Sequence, residues 1–178
     1  MKRILIIAAT ALTFILTTIT TNSCKTTQSP EQICADSVAN NVAQLLLKHQ
    51  RFVLTADQIT INQSTIINVS DNTNFLLVDS INGVVQLSPL FAGGPNSVGG
   101  FTVSGDVSKY ETKTTKEGDL LVTYRVSATV GSTDVQIRLH KGKNEASATI
   151  YATFNNGRAT LRGKIEPLNT RYFQGRSF

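Results

Sequence analysis

The chain has 178 residues, of which 40% are hydrophobic, and carries 17 basic and 12 acidic side chains for a formal net charge of +5. Its basic residues form no long run and are not interleaved with aromatic residues, which excludes the usual pattern of a nucleic-acid-binding surface. No nucleic-acid partner is therefore expected. The length is sufficient for one domain with a substantial hydrophobic core.

Residues 1–23 have the three parts of a secretory signal peptide. Met1, Lys2 and Arg3 form a cationic end, an uncharged and mostly apolar run covers residues 4–21, and small polar residues follow. The alternative is a permanent transmembrane anchor, which needs about 20 consecutive apolar residues. Six threonines dilute the run, so we predict that the segment is cleaved.

Cys24 follows directly after this leader. With Ser23 before it and Thr21 at the third position back, the segment resembles the lipobox of bacterial lipoproteins, although an aliphatic residue usually stands where Thr21 does. In that group the cysteine is acylated and the chain is cut just before it. The alternative is a disulfide with Cys34, the only other cysteine. We predict lipidation of Cys24 and a mature chain of 178 − 23 = 155 residues.

A polar tether at residues 24–29 leads into a predicted helix over residues 30–50. Ser29 suits the N-cap, Pro30 suits the first helical position, and Gln32 completes a capping box. We expect the apolar stripe of this amphipathic helix to pack on the domain, while the alternative is a stripe that binds a partner or a membrane surface. The stripe comprises Ala35, Val38, Val42, Leu45 and Leu46.

From Arg51 onward the apolar residues alternate with polar ones, as in strands. Asn82-Gly83 predicts a tight hairpin with positive φ, and later strands are predicted at 101–114, 119–130, 133–140, 145–154 and 158–165. Residues 30–168 therefore form a single, mostly β domain: an antiparallel sheet of about eight strands, as a bent sandwich or partly closed barrel, preceded by one amphipathic helix. Residues 169–178 are expected to be a flexible tail.

A long glycine-rich loop at residues 88–100 is the candidate ligand-binding segment, because loops of this length in a compact domain are often functional. A nucleotide-binding loop is disfavoured, since no Lys-Ser or Lys-Thr follows the glycines. The candidate binding residues are Phe91, Gly93, Gly94, Gly99 and Gly100.

No arrangement of residues typical of catalysis or metal binding is present in the sequence. The two histidines, His49 and His140, fall at the end of the predicted helix and of a strand, where capping or surface roles are expected. There is no Gly-x-Ser-x-Gly, Cys-x-x-Cys or His-x-x-x-His motif, so we expect no catalytic residues, no metal site and no cofactor. Two pairs of acids could approach in space, namely Asp71 with Asp79 and Asp106 with Asp134, but turn formation is the expected role.

Several segments resemble the family of Bacteroidota envelope lipoproteins known as domain of unknown function 4251. The resemblance covers about residues 51–168 and implies an envelope location and a fold, but no chemistry. Residues 87–93 depart from the family pattern because they lack its Tyr and Arg. The matching segments are RFVLTAD at 51–57, NVS at 68–70, Asn74-Phe75, VDS at 78–80, GGF at 99–101, Gly105, Tyr110, ASATI at 146–150, NNGR at 155–158 and GKIEPL at 163–168.

These features together predict an outer-membrane lipoprotein of the cell envelope, held by N-terminal acyl chains. The tether lacks acidic residues just after Cys24, which favours the periplasmic side over surface display. The expected role is binding of a small hydrophobic or saccharide ligand or of an envelope protein partner. The alternative is a structural or interaction subunit that docks through the helix or an edge strand; an enzyme is the least favoured class. An enclosed apolar cavity would support the first role, and a filled core with an exposed apolar patch the second.

Overall fold

The computed structural model describes residues 29–61, 65–87, 101–129, 131–153 and 157–168. The leader, Cys24, the candidate loop at 88–100 and the predicted tail lie outside the described residues. Within them the elements are helix α1 (Pro30–Lys48) and strands β1 (Arg51–Ile61), β2 (Thr65–Asn68), β3 (Phe75–Asp79), β4 (Asn82–Leu87), β5 (Phe101–Thr114), β6 (Leu120–Ala128), β7 (Gly131–Leu139), β8 (Ala146–Ala152) and β9 (Gly157–Glu166).

The strands form a closed antiparallel ring. β1 and β3 to β9 pair each with the next, and β9 pairs back onto β1, so eight strands enclose the core. β2 is an additional strand that pairs with the far half of β1, opposite residues 58–61. The prediction of a mostly β domain of about eight strands after one helix is confirmed, and its partly closed barrel is in fact fully closed.

Alternation of side chains along the strands explains how the ring fills its interior. In β6 the residues Val122, Tyr124 and Val126 point inward and are at most 3% exposed, while Thr123 and Arg125 between them are half-buried on the outer side. Inward positions of the other ring strands carry mainly Val, Leu, Ile and Ala, and these join one buried cluster. Each large aliphatic side chain in it contributes about 1.5–3 kcal/mol by leaving water.

The ring turns sharply at two places that lie four strands apart. At one, β1 has a bulge between Ala56 and Gln58 where it pairs with β9; at the other, β5 has a bulge between Ser108 and Glu111 where it pairs with β6. A Cβ added at Gly163 of β9 would overlap the Thr55 carbonyl, and one added at Gly105 of β5 would overlap the Ser127 carbonyl. The two glycines therefore allow neighbouring backbones to come close where the sheet bends.

A second, smaller apolar cluster covers the outside of β1 and β3. Val53, Phe75 and Leu77 point away from the barrel interior, yet each is at most 2% exposed because Val84 and Leu168 pack beside them. This cover explains why residues 52–56 are all buried although their sequence alternates. Strands buried on both faces lose the simple inside–outside pattern.

The hairpin between β3 and β4 differs from the sequence-based expectation. The positive φ belongs to Ser80 (56°), and the turn lies at residues 80–81. Asn82 and Gly83 are the first residues of β4. Gly83 is needed for space, since an added Cβ would stand 2.7 Å from Val107 and 2.9 Å from Val126. The prediction that Asn82-Gly83 forms the turn was wrong because the glycine serves packing.

Helix α1 lies across one end of the barrel, against β1 and β9, and ends two residues before the predicted boundary. The expectation that its apolar stripe packs on the domain was wrong for four of the five stripe residues, since only Leu46 packs against the core. Val38, Val42 and Leu45 are 58%, 45% and 56% exposed, whereas the buried positions are Asn40, Ala43 and Leu47. The helix is rotated so that these three residues face the barrel.

Candidate functional site

Asn40 determines which face of α1 meets the barrel. Its side-chain amide donates to the carbonyls of His140 and Lys143, at 2.8 and 2.6 Å, and its oxygen accepts from Gln44 at 2.8 Å. Those two carbonyls belong to the turn between β7 and β8. A helix residue with two donors can satisfy both of them, which an apolar side chain cannot do. The asparagine thus fixes the rotation of the helix, and the more apolar face of the helix is left exposed.

A tyrosine holds the C-terminal end of the same helix. The Tyr110 hydroxyl donates to the Leu47 carbonyl at 2.6 Å, one of the last-turn carbonyls that have no partner inside a helix. Its ring stacks on Tyr124 with centroids 5.7 Å apart, and Tyr124 meets Phe52 edge-to-face at 6.4 Å. Burial raises the pKa of both tyrosines, so the two hydroxyls stay protonated across the physiological range.

The turn between β7 and β8 is braced by Asn144. Its amide donates to the Ile165 carbonyl at 2.8 Å and its oxygen accepts from the Ile165 N–H at 2.9 Å. The side chain therefore pairs with β9 as a neighbouring strand would. This rigid turn carries Lys143 and Glu145 at one rim of a surface depression.

That depression is a cleft of about 650 Å³ between the first half of α1 and the outer face of the β1–β9 seam. It exists because the helix extends past the barrel wall, while Arg162 and Lys164 of β9 point outward beneath it. The bulge in β1 brings Asp57 and Gln58 to the floor. The residues that line the cleft are Asp36, Ala39, Asp57, Gln58, Lys143, Asn144, Glu145, Arg162, Gly163 and Lys164.

Charges of both signs surround the cleft in equal number. The three acids are Asp36, Asp57 and Glu145, and the three bases are Lys143, Arg162 and Lys164. Arg162 pairs with Glu145 across the neighbouring strands β8 and β9. Two side-chain amides, from Gln58 and Asn144, complete the polar lining. This arrangement suits a polar occupant that carries both donors and acceptors, and it offers no apolar pocket for a lipid tail.

Of the four acids that could have approached one another in pairs, Asp79 and Asp134 each pair with an arginine. Asp79 lies 3.1 Å from Arg51, and Asp134 lies 2.6 Å from Arg125 in a bidentate pair. The hydrogen bonds from Arg125 lower the pKa of Asp134. The Glu117 pKa is also lowered, chiefly by a backbone hydrogen bond within its turn and by the Thr115 hydroxyl. The two acids with a lowered pKa lie on β7 and in the β5–β6 turn, and neither belongs to the cleft lining.

Both histidines occupy the places that the sequence indicates. His49 caps α1, with its N–H donating to the Leu45 carbonyl at 2.9 Å. His140 ends β7, and its Nδ1 lies 3.6 Å from a carboxylate oxygen of Asp119. Neither belongs to the cleft lining. Within the described ranges, no group of three or more His, Cys, Asp or Glu side chains is placed to hold a metal ion.

Two hydroxyls in the barrel interior have no hydrogen-bond partner among the residues that the structure describes, namely Tyr124 and Thr133. They occupy diagonal inward positions on β6 and β7, since Tyr124 faces Val135 and Val126 faces Thr133 in the strand register. Such groups cost about 1–3 kcal/mol when left unpaired.

Among the described residues, the candidate site lies beside α1, and the loop site stays a prediction. The predicted binding residues Phe91, Gly93, Gly94, Gly99 and Gly100 lie outside the described residues, as does Cys24. The strand ends that flank their loop, Leu87 and Phe101, stand at the opposite end of the barrel from α1. Sequence reasoning missed the cleft because its lining comes from four separate segments. Cys34, which was considered as a disulfide partner, is exposed and free.

Comparison with known proteins places the chain in a family. Residues 35–165 match the sequence profile described as Domain of unknown function (DUF4251). The chain belongs to this family. A crystal structure of a DUF4251 family protein from Bacteroides eggerthii DSM 20697 is 38% identical to it, with a TM-score of 0.70, and the match covers 83% of this chain and all of the other. The resemblance identified in the sequence is thus confirmed. No curated protein matches the chain significantly.

The DUF4251 match extends over α1 from Ala35 and over the strands up to Ile165, so it includes the whole cleft lining. None of the described helices is long and apolar enough to cross a membrane.

Proposed function

We propose that this DUF4251 protein is an exported lipoprotein of the bacterial envelope, anchored by acyl chains on Cys24, whose barrel binds a polar partner in the cleft beside α1. The observation that carries the binding role is the cleft itself, about 650 Å³ with three acids, three bases and two amides around it. The periplasmic face of the outer membrane is the location we favour, because the tether lacks acidic residues after Cys24.

Because the barrel interior is filled with side chains, a binding site on the outside of the barrel is favoured. Its inward positions carry apolar side chains that are at most 5% exposed and pack as one cluster. In eight-stranded barrels the interior is just wide enough for side chains to fill or for one small ligand. Here Phe52, Tyr110 and Tyr124 occupy the end that α1 covers. A small hydrophobic ligand is therefore a weaker proposal than an external, polar one.

The chemistry of the cleft favours an extended polypeptide segment of an envelope partner. A peptide presents donors and acceptors along its backbone, which Gln58 and Asn144 can pair with, and side chains of either sign suit the charged rim. A saccharide is the second candidate, since its hydroxyls also pair with amides and carboxylates. Aromatic side chains, on which sugar rings commonly stack, are missing from the described lining.

The anchor is tested by the mass of the protein purified from membranes. We expect an N-terminal peptide that begins at Cys24 and carries a diacylglyceryl group, with residues 1–23 removed. An unmodified thiol, or a chain that still begins at Met1, would contradict the anchor. This result is independent of whether the cleft binds anything.

The cleft is tested by photo-crosslinking in living cells. A photoreactive residue in place of the exposed Lys143, at the rim, should give one discrete adduct, and Lys164→Glu on the facing strand should abolish it. The matched control places the same residue at Lys113, which is exposed on β5 outside the cleft. The same adducts from both positions, or no adduct at Lys143, would exclude the cleft as the binding site.

A role as an interaction subunit is the second proposal, and one observation supports it. β2 is a four-residue strand that pairs only with β1 among the described strands, and its Ile66 is 65% exposed, which suits the addition of a strand from a partner. We propose a binding rather than an enzymatic role in either case. Both histidines lie outside the cleft, and the shifted pKa values belong to groups on another part of the wall.

A further inference from the structure

The outer face of α1 is an apolar surface that none of the described residues covers. Cys34, Val38, Val42 and Leu45 follow one another at intervals of four, four and three residues, which places them on one face of a helix with 3.6 residues per turn. All four are exposed. We call this set the outer stripe. It lies opposite the face that Asn40, Ala43 and Leu47 bury against the barrel.

The outer stripe has no charges of its own. Between Glu31 and Lys48 the helix contains one charged residue, Asp36, and that residue belongs to the cleft lining on the other side. A solvated helix face normally carries charged or polar side chains. An uncharged stretch of this length, with aliphatic side chains along its centre, is typical of a face that is covered in the working protein.

The tether determines what lies nearest to this face. Residues 25–29 are all that separates Cys24 from the helix, and five extended residues reach at most about 18 Å. The stripe itself runs for about 17 Å along the helix. With acyl chains on Cys24, which is the proposed anchor on which this inference rests, the helix cannot leave the neighbourhood of the bilayer. So short a link also gives a high effective concentration, so that weak contacts suffice.

We infer that the outer stripe of α1 lies on the bilayer surface, as a second membrane contact beside the acyl anchor. Val38, Val42 and Leu45 enter the region between headgroups and acyl chains, as amphipathic interfacial helices do. The barrel then stands on the membrane through its helix-covered end. The cleft faces sideways just above the headgroups, and the loop at 88–100 begins and ends at the far end, toward the solvent.

One more exposed aliphatic residue lies at the same end of the barrel. Ile81, 69% exposed, is in the β3–β4 turn, and the neighbouring Ser80 N–H donates to the Gln50 carbonyl just beyond the helix. A second copy of the chain is a less suitable occupant. One row of four side chains over about 17 Å falls far short of the roughly 1,600 Å² that a stable protein interface buries.

Cys34 provides a natural probe of this contact, because acylation of Cys24 leaves it as the only free thiol. The experiment measures the rate at which a water-soluble maleimide labels Cys34 in the full-length protein, after the mass of the Cys24 peptide has shown the anchor. The protein is studied in native membranes and after purification into vesicles of phosphatidylethanolamine and phosphatidylglycerol. The reference is a cysteine in place of Lys113, on the barrel wall, in a Cys34→Ser background.

We expect labelling of Cys34 to be about tenfold slower than labelling at position 113 in both kinds of membrane, because an interfacial helix shields its apolar face from water. Val42→Asp together with Leu45→Asp should remove that protection. The matched control is Ser37→Asp, which adds a charge to the same helix about a quarter turn from the centre of the stripe and should leave the protection in place. Unfolding measurements on each variant show that the barrel is intact.

Two outcomes would overturn the inference while leaving the anchor intact. Equal labelling at Cys34 and at position 113, with Cys24 acylated, would show that the stripe faces water. Protection in native membranes that disappears in the vesicles would show that a protein covers the stripe instead of lipid. Protection that grows with protein concentration in the vesicles would likewise assign the stripe to a second copy.

Discussion

The barrel wall and helix α1 differ in which side chains they bury: the wall buries its apolar residues, whereas the helix exposes several of its own. In β6 the apolar residues Val122 and Val126 are buried and the residues between them reach the surface, as strand alternation requires. In α1 the apolar residues Val38, Val42 and Leu45 are exposed, and the buried face contains Asn40. The difference arises because a barrel end presents unpaired turn carbonyls, which need a donor, whereas a barrel interior presents only side chains. The hydrogen bonds that Asn40 donates to these carbonyls therefore determine the orientation of the helix more than burial of its exposed apolar residues would.

Gly105→Ala tests a place where the backbones of two neighbouring strands come very close, and it should have the largest effect. The new methyl group would overlap the Ser127 carbonyl of the neighbouring strand, so β5 and β6 must separate. We expect a loss of more than about 3 kcal/mol in the free energy of unfolding, beyond the usual range for overpacking because the obstacle is backbone. Denaturant unfolding measures it.

The matched control for that change is Gly142→Ala. This glycine has φ of 76° but nothing within 4 Å of the added Cβ, so only backbone strain of about 1 kcal/mol is expected. Equal losses in the two variants would mean that close strand approach at the β5–β6 bend is unimportant to stability.

Leu47→Ala compared with Leu45→Ala tests the two faces of α1 with one chemical change. Leu47 is fully buried and Leu45 is 56% exposed. We expect a loss of about 3 kcal/mol for Leu47→Ala, from lost burial and a cavity, and less than about 0.5 kcal/mol for Leu45→Ala. Both are measured by unfolding in solution without lipid. A larger loss at Leu45 would reverse the assignment of the faces.

Asn40→Ala tests whether the amide orients the helix. Its removal leaves the carbonyls of His140 and Lys143 without their donor, which should cost about 2 kcal/mol of unfolding free energy. Asn41→Ala changes the exposed neighbour and should cost less than about 0.5 kcal/mol. If the two losses are the same, the orientation of the helix must have another cause.

Asp134→Asn tests a surface contact of the wall and should have the smallest effect. Because the folded-state pKa of Asp134 lies below its ordinary value, its pair with Arg125 contributes stability above the unfolded pKa of about 3.9, and that contribution disappears as the pH falls through the folded pKa. Both side chains are more than a third exposed, so we expect only about 0.5 kcal/mol at pH 7. Urea unfolding at pH 7 and pH 2 measures it; a difference between wild type and variant that persists at pH 2 would contradict the ionic origin.

The strands could be predicted well from the sequence because the period of two follows from backbone geometry. The five strands predicted from residue 101 onward all exist, with ends that move by at most a few residues. The helix was also located correctly, since Ser29 accepts from the Gln32 N–H as an N-cap should. Its buried face was not predicted, because the rule that the more apolar side faces inward takes no account of the carbonyls at the barrel end.

The cleft could not be predicted from the sequence for a different reason. Asp36, Asp57, Lys143 and Arg162 are far apart in the chain, and none belongs to a motif typical of a binding site. They meet because closure of the ring brings β9 beside β1 and because α1 extends over that seam. Gly83 is a second case in which contacts between residues far apart in the chain could not be predicted from the local sequence. A glycine after an asparagine favours a turn locally, whereas here it makes room for Val107 and Val126.

The proposed membrane contact of α1 is tested most directly by a spin-label scan. Single cysteines are placed at residues 37–45 in a Cys34→Ser background, labelled with a nitroxide, and measured in vesicles for collision with oxygen, which concentrates in lipid, and with a water-soluble nickel complex. The account predicts that the ratio of oxygen to nickel accessibility rises and falls with the helical period and peaks at Val38, Val42 and Leu45. Peaks of nickel accessibility at those three positions would contradict it.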